Sequence, residues 1–73
     1  MTKREFENEV KAIIRRDGAK VVDMDTTQDT DRITDNKYFL STVYAFRNHV
    51  CYRYFAWQNS DSTITVNYNK CCC

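Results

Sequence analysis

Residues 2–18, TKREFENEVKAIIRRDG, form the clearest stretch of this chain with a helical apolar period. Phe6, Val10, Ile13 and Ile14 follow one another at the spacing that lines up a single stripe on a helix. A helix with one apolar stripe has to bury it against another element. The rest of the chain offers runs rich in aromatic and β-branched residues, which read as strands. The partner of the helix is therefore one face of a sheet, and the fold class is α+β. The helix ends are also written locally. Thr2 and Glu5 have capping-box spacing, and Glu7 and Lys11 are an i, i+4 pair of favourable order. Arg15 and Arg16 fall at the negative end of the dipole. Gly18 stands where a residue of positive φ closes a helix.

Residues 19–25, AKVVDMD, read as a short strand with either Val22 and Met24 or Val21 inward. Residues 26–36 are polar and read as a loop, with a short extended piece at residues 32–34. KYFLSTVYAF and VCYRYFAWQ are strands joined by a turn at Arg47, Asn48 and His49. NSDS is a second turn, and TITVNY alternates with Ile64, Val66 and Tyr68 on one face. The expected architecture is an N-terminal amphipathic helix packed on one face of a three- or four-stranded antiparallel meander. It occupies residues 1–70 as a single domain, and residues 71–73 are a disordered cysteine tail.

The last strand suggests which face is the core. A turn of even length at NSDS would set Ile64, Val66 and Tyr68 beside Trp57, Phe55 and Arg53. That choice buries the two largest apolar rings of the strand, with the Arg53 stem at the edge of the helix footprint. Tyr52 and Tyr54 would then point away from the helix. Either Phe39, Val43 and Ala45 or Leu40, Tyr44 and Phe46 would join them, depending on the turn at residues 47–49.

Composition excludes several functions. A phosphate-cradling loop needs several glycines, and the chain has one glycine and no proline. A net charge of +1 gives no global field for nucleic acid or an anionic membrane. No apolar run approaches membrane-spanning length, and Lys3 and Arg4 lead into a charged stretch rather than a signal peptide. Cys51 and the adjacent Cys71, Cys72 and Cys73 make no disulfide framework, so a reducing, cytoplasmic setting is expected. His49 and Cys51 lack the paired spacing of zinc ligands. The aspartates lack the glycine and glutamate of a calcium loop. We expect no metal, no cofactor and no catalytic set.

Two features point to a partner. Five aspartates against one arginine in residues 21–36 make an acidic segment suited to a basic protein surface. A sheet with a helix on one face leaves its other aromatic residues uncovered. The expected function is a small protein-binding module, an inhibitor or regulator of a larger protein such as a nuclease or defence complex. Phage and mobile-element proteins of this size supply the analogy. Its expected contact residues are Tyr44, Tyr52, Tyr54, Asp25, Asp29, Asp31 and Asp35. The alternatives are a single-stranded nucleic-acid-binding sheet, disfavoured by the aspartates, and a homo-oligomer, in the simplest case a homodimer, built through the open face or a free edge.

Overall fold

The computed structural model describes residues 1–70; the cysteine tail expected at residues 71–73 lies outside them. The chain runs through helix α1 (Lys3–Arg16) and strands β1 (Lys20–Thr30), β2 (Lys37–Arg47), β3 (Val50–Gln58) and β4 (Ile64–Lys70). The four strands form an antiparallel meander in sequence order, so the α+β architecture is as expected.

The helix ends follow the sequence signals. Thr2 Oγ1 accepts from the Glu5 amide at 3.2 Å, and Glu5 Oε1 accepts from the Thr2 amide at 3.3 Å. Those hydrogen bonds hold the Glu5 carboxyl below its ordinary pKa. At the other end Gly18, with φ 82°, donates to the Arg15 carbonyl, and Ala19 donates to the Ile14 carbonyl. This is the Schellman arrangement, with its apolar contact supplied by buried Ile14 and Ala19. Phe6, Val10 and Ile14 are fully buried. Glu7 finds a different partner from Lys11. Its Oε2 accepts from Thr26 Oγ1 at 2.7 Å, and the buried Ser41 hydroxyl, 3.1 Å from both Thr26 Oγ1 and the Asp25 carbonyl, donates its single proton to one or the other. This chain pins the helix to β1 and β2, and it satisfies the one polar side chain of the core.

Three differences from expectation have one kind of cause, the geometry of turns. First, β1 continues to Thr30, because residues 26–30 pair with β2 over their whole length. Residues 31–36 form the loop, and residues 32–34 are a turn rather than an extended piece. The Asp35 amide closes it onto the Asp31 carbonyl with Asp35 at φ 60°, while Asp31 Oδ1 accepts from the Ile33 amide at 2.8 Å. Near the start of β1, Val22 is an extra residue in the register, so Val21 and Met24 both face inward and Val22 is exposed. Second, the β2–β3 turn has two central residues, Asn48 and His49, at φ 52° and 65°. This is the left-handed pair that suits hairpin twist. It pairs Arg47 with Val50 and so places Val43 opposite Tyr54. Third, the β3–β4 turn is of odd length. Asn59 donates to the Thr63 carbonyl, and Ser62 at φ 69° is the extra left-handed residue of a bulged hairpin. Gln58 pairs with Ile64, and Tyr54 with Tyr68.

The turn parity reverses β3. Tyr54 and Ala56, not Phe55 and Trp57, face the helix, together with Ser41, Val43 and Ala45 of β2. Ile64 and Val66 pack against this core as expected. The helix lies over β1 and β2. Small residues at Ser41, Val43, Ala45 and Ala56 let it approach closely, and Phe6, Val10 and Ile14 fill the space between.

Candidate protein-binding face

The sheet face away from the helix is built in rows across the strands. One row runs Thr27, Leu40, Trp57, Thr65; the next Asp25, Thr42, Phe55, Asn67; the third Asp23, Tyr44, Arg53, Asn69. Strand pleating puts each row on the same side. Among the described residues no element covers them. Leu40, Tyr44, Phe55 and Trp57 are half-buried, with Leu40 directly opposite Trp57 across the strands. The Arg53 guanidinium lies 5.1 Å from the centre of the Phe55 ring, within cation–π range, and its side chain is exposed. Phe46 extends the apolar surface at one end, with 46% of it exposed.

The expected contact residues divide between places. Tyr44 stands on this open face. Tyr54 does not: it is 1% exposed and belongs to the core. Tyr52 is also on the helix side, half-buried. Asp25 is exposed on β1 as expected, and Asp29, expected in the loop, is exposed on β1 as well, so the acidic flank borders the open face directly. Asp31 and Asp35 lie in the β1–β2 loop, where the Asp31 carboxylate is committed to loop amides.

Phe55, Trp57 and Arg53 were expected on the helix side and lie on the open face, and Leu40 belongs to the alternative that the turn at residues 47–49 selects. A signal for them was present in β2, whose alternate positions Ser41, Val43 and Ala45 are small. Small residues mark the strip that a helix crosses, so the bulky alternates belong to the other side.

A second cluster fills the helix side where the helix stops short of β4. The Arg47 guanidinium sits 4.6 Å from the Tyr52 ring centre and 5.2 Å from that of Tyr68. Its NH1 is 3.6 Å from Asp17 Oδ2, and the Tyr54 hydroxyl donates to the same carboxylate oxygen at 3.5 Å. Tyr68 lies against both Tyr52 and Tyr54, with ring centres 5.7 and 5.3 Å apart. Burial pushes the Tyr54 phenol above its ordinary pKa, and the neighbouring Asp17 charge adds to the rise. The cluster caps the core with aromatic contacts.

At the loop end of the sheet an open depression of about 950 Å³ lies between the β1–β2 and β3–β4 loops. Tyr38, Leu40 and Trp57 line it together with Asp29, Asp31 and Arg32. Through Leu40 and Trp57 it is continuous with the open face. His49 is exposed in its turn, and Cys51 is a free, half-buried thiol. Among the described residues no three His, Cys, Asp or Glu side chains gather as metal ligands would, and no helix is long and apolar enough to cross a membrane. The chain matches no known family, no curated protein and no solved structure.

Proposed function

We propose that the chain is a small protein-binding module that regulates or inhibits a larger protein through its uncovered sheet face. The observation that supports this reading is the patch made by Leu40, Tyr44, Phe55, Trp57 and Arg53 on a face that no element among the described residues covers. Contiguous apolar surface of this kind marks an interaction site. Trp, Tyr and Arg are the residues that dominate binding energy at protein interfaces. Asp23, Asp25 and Asp29 run along one flank of the patch, which favours a partner with a basic rim and disfavours a phosphate backbone.

The test compares wild type with an Arg53→Ser, Trp57→Ser variant as immobilised bait in nuclease-treated lysate. Removing both anchors should weaken capture of a specific protein by at least about thirtyfold, the equivalent of about 2 kcal/mol. Circular dichroism should show the helix and sheet intact. A helix-surface variant, Glu9→Lys, should bind as wild type does. Capture that is lost on nuclease treatment, or that survives the double substitution unchanged, would overturn the reading.

A further inference from the structure

The two edges of the sheet are built differently. β1 carries exposed Asp23, Asp25 and Asp29, and the bulge at Val22 interrupts its ladder. Both features obstruct the addition of another strand. β4 reads ITVNYNK. Lys70 is its one charge, it has no proline, and its register with β3 runs without irregularity. Among the described residues nothing pairs with its outer side. The helix, lying on β1 and β2, does not cover it, and Tyr68 is 47% exposed on the helix side. A strand that is uncharged along most of its length and unobstructed is a pairing template.

We infer that β4 pairs with β4 of a second copy of this chain, antiparallel across a two-fold axis perpendicular to the sheet. The self-complementarity of the strand argues for a second copy as the occupant. Such an axis pairs residues of like parity, because it keeps each side chain on its own side of the sheet. The helix-side residues Ile64, Val66 and Tyr68 of one copy therefore face their counterparts in the other. With the axis at Asn67, Val66 lies opposite Tyr68, Ile64 lies opposite Lys70, and no like charges meet. Tyr68, nearly half exposed in the single chain, is then covered by Val66 of the second copy. The product is one continuous sheet with both helices on one side and both aromatic faces on the other. This pairing does not depend on the partner proposed for the open face. It would present that face in duplicate.

The test is sedimentation equilibrium of the full chain under reducing conditions over rising concentration. Wild type should approach the mass of two chains. Asn67→Lys adds a charge at an exposed position on the axis and should weaken association at least about tenfold. A control at the opposite edge, Thr27→Lys, should leave association unchanged. Circular dichroism establishes that each variant is folded, and Asn69→Lys replaces Asn67→Lys if the latter melts. A wild type that stays a single chain at about 1 mM, weaker than about 4 kcal/mol of association, overturns the inference. So does a dimer equally stable in the β4 variants, or one lost in Thr27→Lys.

Discussion

Tyr54 and Trp57 belong to the same strand and lie on opposite faces of the sheet, and the two faces are filled by opposite strategies. Under the helix the sheet contributes small side chains at Ser41, Val43, Ala45 and Ala56 together with the one large buried ring of Tyr54, and the helix descends on them with Phe6, Val10 and Ile14. On the open face no element among the described residues descends from above, and Leu40, Tyr44, Phe55 and Trp57 stand half-buried beside one another on β2 and β3. Ring size is thus a poor guide to which face is the core. The largest apolar ring of the chain, Trp57, sits where there is no lid.

The comparison makes its largest forecast for these two residues. Tyr54→Ala should destabilise by about 3–5 kcal/mol, the cost of removing a large, fully buried ring. Stabilities start at about 5 kcal/mol for small domains, so at that starting point this variant should retain no more than about 2 kcal/mol. Trp57→Ala removes a half-buried ring next to solvent and should cost about 1–2 kcal/mol, near the low end for an apolar side chain. Urea unfolding of both variants checks the pair. Equal costs would mean that the two faces are equally packed, and the contrast between them would fail.

The helix was legible in the sequence because its signals are local. The Thr2–Glu5 box, the apolar stripe and Gly18 each act within a few residues, and each is realised. The existence of strands was legible for the same reason. Their faces were not, because the parity of a turn decides them, and one residue more or less reverses every side chain that follows. Ser62 is the residue that reverses β3 against β4, yet a serine carries no strong signal for the left-handed conformation. The far half of β1 was hidden by its polarity. Asp29 and Gln28 are exposed on an edge strand, and Thr26 turns inward only to complete the link between Glu7 and Ser41. An excess of rings over what one core face needs did announce an uncovered surface. Its members could not be named until the register was known.

The turns that set the faces can be strengthened without touching either face. His49 and Ser62 hold φ of 65° and 69°, a conformation that costs a residue with a Cβ about 1–2 kcal/mol. Glycine there relieves the cost, offset in part by its freer unfolded chain. His49→Gly and Ser62→Gly should each stabilise by about 0.5–1 kcal/mol, read as a higher urea midpoint at unchanged slope. Ser60→Gly, at a position outside the left-handed region, should not stabilise. The Trp57 emission maximum should remain that of wild type in all three. Destabilisation by both turn glycines would mean that a different turn geometry holds the register.

The smallest effect separates the faces by proton affinity. Tyr54 is the ring whose hydroxyl meets the core boundary, donating to Asp17 Oδ2 at 3.5 Å, the long limit of a hydrogen bond. Tyr54→Phe should therefore cost no more than about 0.5–1 kcal/mol at neutral pH. The difference lies at alkaline pH. Burial, and then the Asp17 charge, raise the folded-state pKa of Tyr54 above the ordinary value of 10.0. The folded state keeps its phenol proton while the unfolded chain releases it. The unfolded state then binds fewer protons, and stability falls as pH rises through the interval from the ordinary value to the raised one. In Tyr54→Phe that contribution is absent, so its stability should decline less steeply above pH 10 than that of wild type. Urea midpoints collected between about pH 8 and 11 provide the check, with phenolate absorbance reporting whether the last tyrosine to ionise is the one removed. Parallel declines in the two proteins would show that Tyr54 ionises without resistance from the core, and the distinction between the covered and open faces would lose its electrostatic half.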